Sequence, residues 1–212
     1  MGKNKLKHFA EMLLFSNVVQ LDRRHRGAWN EALGNTNPIT LEIGCGKGEY
    51  TVGLARRYPE RNFIGVDVKG ARIYTGAKRA LESNLNNVMF LRAQADHLPE
   101  YFAPGEVGEI WITFADPHPP LSRARRRLTS PKYIDVYRQF MPPNGLVHLK
   151  TDDDGLYQYT LEVIEQLNLN LLCNVGDVHH TDHGDDRLNI LTYYERMHLA
   201  KGKTVKYVRF GL

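Results

Sequence analysis

The chain has 212 residues, 42% hydrophobic and 25% charged, with a formal net charge of +4 and a pI near 9.0. That length buries one good core and favours one domain, and no apolar run approaches the length of a membrane span. Its two cysteines, Cys45 and Cys173, read as small buried residues and exclude a disulfide framework. A soluble cytoplasmic protein is expected. Met1–His8 is basic and lacks the apolar core of a secretory signal, and Leu6 stands where a myristoylation signal needs Ser or Thr.

Residues 1–37 read as a basic, partly helical N-terminal arm in which 9–15 is amphipathic. The arm closes on the turn formers Gly34-Asn-Thr-Asn-Pro38, and one domain is expected over 38–212. Strands and helices then alternate. Strands are expected at 39–43, 62–67, 88–92, 109–114, 146–150 and 169–173, with a last β-like run at 204–210. Helices are expected near 49–58, 70–83, 131–140, 155–167 and 192–200. Such alternation implies a single α/β domain with a mostly parallel, seven-stranded sheet covered by helices on both faces.

The first strand runs into Glu42-Ile-Gly-Cys-Gly-Lys-Gly48 and then into a helix, the nucleoside-cradling unit of doubly wound folds. A dinucleotide fingerprint would place its third glycine one residue later, where Glu49 stands and would face a pyrophosphate. S-adenosylmethionine has no phosphate, and its sulfonium and amino groups suit a site beside Glu42. Asp67, ending the next strand, suits a ribose diol. The rival reading is a glycine turn that holds no ligand. Ligands in open α/β sheets collect beyond the carboxyl ends of the strands. Here those ends supply Glu42 and Gly44, with Gly46 in the turn, then Asp67, Gln94-Ala95, Asp116 and Thr151-Asp152. Asp116-Pro-His-Pro-Pro120 cannot begin a helix and reads as a rigid wall that positions an acceptor base.

Positive charge gathers in Lys3/Lys5/Lys7, in Arg23-Arg24-His25-Arg26 and in Arg123-Ala-Arg125-Arg126-Arg127. The first two clusters suit either phosphate contact or a solvated surface. The third adjoins the Asp116 loop, where a grip on phosphate would bring a base to the methyl donor. His179-His-Thr-Asp-His183, with Asp177, Asp185 and Asp186, lacks cysteine and regular ligand spacing; it reads as a polar loop at the mouth of the site, and no metal is expected.

Beside Trp29-Asn-Glu-Ala-Leu-Gly-Asn-Thr-Asn-Pro38 stand segments more specific than the glycine motif: Phe114-Ala-Asp-Pro117 with Arg126-Arg-Leu128, His148-Leu-Lys-Thr-Asp152 and Thr192-Tyr-Tyr-Glu195. With the glycine motif and Gly65-Val-Asp67, they resemble the bacterial tRNA (guanine-N7-)-methyltransferase family over nearly the whole chain. The resemblance implies a Rossmann-like class I methyltransferase domain that methylates N7 of a guanosine in the tRNA variable loop, position 46 in standard tRNA counting. It implies tRNA as partner, no membrane, and a monomer or homodimer. Carried over by position, donor binding falls to Glu42, Asp67, Gln94, Ala95 and Asp116, with Asp116 also catalytic. Substrate contacts fall to Asp152, Thr192, Tyr193, Tyr194 and Glu195, and RNA contacts to residues 122–127, with Arg123, Arg125, Arg126 and Arg127. The family pattern Asp-Pro-Trp-Pro-Lys-Lys-Arg-His changes here to His118, Pro120, Leu121, Ser122 and Arg123 at its Trp, both Lys, Arg and His positions. His118 then becomes the candidate to stack on a base, and Arg123 the replacement for lost charge. Two rivals follow from that change and from the breadth of the fold: a non-catalytic RNA-binding protein, and a small-molecule methyltransferase.

Overall fold

Short runs of mainly apolar residues, buried on both faces, put five parallel strands at the centre of the molecule. The computed structural model describes residues 2–212, with side chains from Leu6 onward; Lys3 and Lys5 of the basic lead-in lie outside the described side chains. The strands are β1 (Val18–Gln20), β2 (Ile39–Ile43), β3 (Asn62–Asp67), β4 (Val88–Arg92), β5 (Val107–Thr113), β6 (Leu146–Thr151), β7 (Asn170–Val175) and β8 (Lys206–Gly211). Helices are α1 (Gly2–Met12), α2 (Trp29–Leu33), α3 (Glu49–Arg57), α4 (Gly70–Glu82), α5 (Pro131–Tyr137), α6 (Asp154–Gln166) and α7 (Tyr193–Leu199). The sheet order is β1-β4-β3-β2-β5-β6-β8-β7, all parallel except β8, which runs antiparallel to both neighbours.

The sheet therefore has eight strands where seven are expected from the sequence. The extra one is β1, whose three residues are too few to show alternation, and it pairs with Phe90–Arg92 at the sheet edge. Asn17 fixes that register: its carbonyl accepts from the Phe90 amide at 2.8 Å, and its Nδ2 donates to the Ala77 carbonyl at 3.0 Å. The lead-in is thus built into the fold. Trp29 is 1% exposed, stacks on Phe102 with centroids 5.2 Å apart, and donates its indole N–H to the Tyr101 carbonyl at 2.8 Å.

One face of the sheet buries Trp29 and Leu33 of α2, Tyr133, Ile134 and Tyr137 of α5, and Leu156, Val163 and Ile164 of α6. The other buries Met12 of α1, Tyr50, Val52 and Leu54 of α3, and Ile73 and Ala77 of α4. No helix among the described residues is long and apolar enough to cross a membrane. The chain lays down β2, β3 and β4 in one direction and then returns to place β5 and β6 on the other side of β2. That reversal opens a crevice beyond the carboxyl ends of β2 and β5.

Replacing Trp29 with Ala removes a fully buried indole and leaves the Tyr101 carbonyl without its donor. Urea denaturation is expected to show a loss of about 3–5 kcal/mol. A loss below about 1 kcal/mol would mean that the lead-in is an appendage to the core.

Candidate functional site

The turn from β2 into α3 is shaped by glycines. Gly44 and Gly46 take φ of +80° and +56°, and a Cβ built on either would have no neighbour closer than 4.0 Å. Space is therefore left open above the turn, as a closely approaching ligand requires. Asp67, at the end of β3, ties this turn to the next: its carboxylate accepts from the Gly46 amide at 2.9 Å and from the Lys69 amide at 2.8 Å.

Two neighbouring cavities open above these turns, with Gly44 and Asp116 lining both. The first, about 360 Å³, is polar and is lined by Glu42, Lys47, Lys69, Thr113, Phe114 and Thr192 among others. The second, about 320 Å³, is more apolar: Ile43, Val66, Ala93, Leu128 and Tyr133 line it, with Asp67 and Gln94-Ala95 at its edge. An apolar slot for a purine, a strand-end carboxylate for a diol and a carboxylate-lined lobe for a cation fit S-adenosylmethionine in both shape and charge.

Glu42 lies on the floor of the polar lobe and is 3% exposed. Thr113 Oγ1 donates to its Oε1 at 2.6 Å; the Thr51 amide (2.8 Å) and hydroxyl both donate to its Oε2. Burial pushes its carboxyl up to about 7, against the pull of those hydrogen bonds. Asp116 stands at the junction of the lobes with its side chain 71% exposed, the least encumbered carboxylate in the site. Its Oδ1 accepts from the His118 amide at 3.0 Å, and His118 itself sits at φ +43° against the apolar lobe.

The aromatic pair Tyr193 and Tyr194 forms an exposed lip on the polar lobe, 55% and 46% accessible. Their helix begins at Thr192, whose hydroxyl accepts from the Glu195 amide at 3.1 Å. Tyr193 lies under Lys47, 5.7 Å from Nζ to the ring centroid, and its amide donates to Glu49 at 2.7 Å.

Three residues expected to meet substrate face elsewhere. Glu195 is fully buried against Lys150 (2.7 Å) and His179 (3.0 Å), so it anchors α7 from beneath. Burial lowers the Lys150 pKa, with Glu195 opposing that shift. Asp152 lies outside both lobes, held by Lys203 at 2.5 Å and His198 at 3.1 Å. Arg127, expected to grip phosphate, is 5% exposed and points inward; Arg123, Arg125 and Arg126 are exposed on the 3-10 turn 121–126. In the His/Asp loop, His180 meets Asp177 (2.8 Å) and the His183 ring accepts from the Asp185 amide (3.1 Å).

Thr113, Lys69 and Arg72 line the polar lobe although no sequence signal singled them out. Thr113 is the last residue of β5, and the strand-end rule finds it once that strand is ended one residue earlier than its apolar run suggests.

A family model described as "Putative methyltransferase" matches residues 36–208. The tRNA (guanine-N(7)-)-methyltransferase of Bacteroides thetaiotaomicron is 44% identical over all of this chain and 87% of its own length. Among solved structures, the 16S rRNA methyltransferase KamB superposes with a TM-score of 0.66 at 17% identity, covering 88% of this chain and 93% of that one. A 16S rRNA (adenine(1408)-N(1))-methyltransferase from Catenulisporales acidiphilia, solved with its cosubstrate SAM, gives 0.61 at 15% identity over 91% and 92%. At those identities the structural likeness is one of fold.

An acid whose folded pKa lies above its unfolded value of 4.5 binds its proton more tightly in the folded state. Glu42 therefore stabilises the ligand-free fold fully below pH 4.5, and that contribution is lost as pH rises to about 7. Thermal melts are expected to show the wild type losing on the order of 3 kcal/mol relative to Glu42→Gln across that window. Parallel pH profiles for the two proteins would remove Glu42 from this role.

Proposed function

Since the chain belongs to the tRNA (guanine-N(7)-)-methyltransferase family and is an S-adenosylmethionine-dependent enzyme of that class, we propose that its target is a guanosine of the tRNA variable loop and that the two lobes divide the work. The apolar lobe, with Asp67, Gln94 and Ala95, holds the adenosine of the donor. Glu42, Gly44 and Gly46 floor the lobe that takes the methionine end. When bound, S-adenosylmethionine supplies an electrophilic methyl group on a positively charged sulfur.

The guanine N7 lone pair lies in the ring plane at neutral pH, so the chain need supply no general base. Its task is to hold the purine in line, and catalysis comes mainly from proximity and orientation. The methylated purine is cationic. Asp116 is free to meet that developing charge because its carboxylate, unlike those of the buried Glu42 and Glu195 and the ion-paired Asp152, is largely exposed: its Oδ1 meets only the His118 amide and, at 3.6 Å, the His118 ring, and its Oδ2 is open. His118 and the Tyr193–Tyr194 lip offer ring faces against which the displaced base stacks. Exposed Arg123, Arg125 and Arg126 grip the flanking phosphates. In this reading the enzyme acts where tRNA is, in the cytoplasm, as a monomer or homodimer.

The observation that carries this reading is a largely unencumbered Asp116 where a donor-shaped cavity meets an arginine-lined rim. Label transfer from radioactive S-adenosylmethionine to an unmodified tRNA transcript, with 7-methylguanosine mapped in the product, tests it. The wild type is expected to modify one variable-loop guanosine, and Asp116→Ala to fall at least about 100-fold while still binding adenosylhomocysteine. Retention of tRNA without incorporation would make the protein a binder only.

A further inference from the structure

The loop from Ala115 to Pro119 belongs to no helix or strand, and Pro117, Pro119 and Pro120 have no amide hydrogen to give it. Its carbonyls find another donor. Arg127 Nε donates to the Pro117 carbonyl at 3.0 Å, and its Nη2 to those of His118 and Pro119, both at 3.3 Å. The guanidinium lies 4.3 Å from the ring centroid of Tyr159 on α6. No backbone amide donates to any of those three carbonyls among the described residues.

The segment carrying Arg127 is itself fixed at several points. Ser130 Oγ donates to the Arg125 carbonyl at 3.1 Å, Tyr137 OH to the Leu128 carbonyl at 2.9 Å, and the Thr129 and Thr160 hydroxyls meet at 2.8 Å. Arg127 thus links a rigid base, formed by α5 and α6, to a loop that has no ladder of its own.

We propose that Arg127 is a positioning residue: it sets the Asp116 loop from beneath and makes no contact with RNA. This rests on the proposed methyl transfer to tRNA. One arginine run therefore serves two ends. Arg123, Arg125 and Arg126 face the polyanion, and Arg127 faces the protein. Lysine cannot replace it, because a single ammonium has neither the fork to serve three carbonyls nor the planar face for Tyr159.

The test compares Arg127→Lys, Tyr159→Leu and Arg125→Gln with the wild type. It uses single-turnover methylation of a tRNA transcript, tRNA affinity as a function of salt, adenosylhomocysteine affinity and thermal melting. Arg127→Lys is expected to slow the single-turnover step about 10- to 100-fold, and Tyr159→Leu by less, at unchanged adenosylhomocysteine affinity. Neither should change the slope of log affinity against log salt, whereas Arg125→Gln should reduce it by about 1. A reduced slope in Arg127→Lys would show a phosphate contact and overturn the proposal. So would a normal single-turnover rate well below a lowered melting temperature, which would leave Arg127 only a stabilising role. Failure of the wild type to methylate tRNA would instead refute the functional reading, which keeps the two outcomes distinct.

Discussion

The Asp67 carboxylate is the constraint on which the site depends. By accepting from the Gly46 and Lys69 amides at once, it locks the turn after β2 to the turn after β3, beside the β2–β5 boundary at which the sheet order reverses. A ligand arriving there meets backbone whose shape is already set, so little ordering cost falls on binding. The same carboxylate lies at the edge of the apolar lobe, which places a structural tie and a ligand-facing group on one side chain. Below it, Gly48, Gly65 and Gly76 all crowd Phe90: a Cβ on any of them would come within 2.6–2.8 Å of that ring. The absent side chains let α3 and α4 press against β3 and β4 and hold both turns at their present height.

Charge in this molecule follows burial. Buried ions position elements: Lys150 with Glu195 seats α7, and Glu109, enclosed by Arg61, Arg187 and His148, braces the opposite end of the sheet. His148 beside it carries two conflicting influences, burial lowering its pKa and the Glu109 contact raising it, and burial prevails. Such pairs are poor sources of net stability but costly to break singly, because the survivor is left charged and dry. Glu42 and Asp67 are buried carboxylates that also line the lobes, whereas the exposed ions at the rim carry no such structural tie. Asp116 and the outward arginines belong to that second group, and Arg127 belongs to the first.

Most of the fold was legible because its signals are local. Strands 39–43, 62–67 and 88–92 are short runs of mainly apolar residues, and the structure places them at those bounds. The β1 strand was not legible: it is three residues long, its pairing is with residues some 70 positions away, and basic neighbours hide it. Strand-end reasoning likewise brought Glu42, Asp67, Gln94 and Asp116 to one crevice. Glu195 came from the family resemblance alone and Asp152 from the resemblance and its strand end; motifs identify residue types but say nothing of which way a carboxylate points, and both side chains lie outside the two lobes. Within Arg123 to Arg127, no pattern of spacing separates the inward guanidinium from the outward ones. Only the packing of Tyr159 and the proline loop does that.

Calorimetry of adenosylhomocysteine binding to the wild type and to Asp67→Ala tests the central claim most directly, since that carboxylate both shapes the turns and borders the adenosine lobe. One site per chain is expected in the wild type, with affinity reduced at least about 100-fold in the variant, the loss of about 2.7 kcal/mol of binding. Absence of binding to the wild type, or equal affinity for the two proteins, would contradict it.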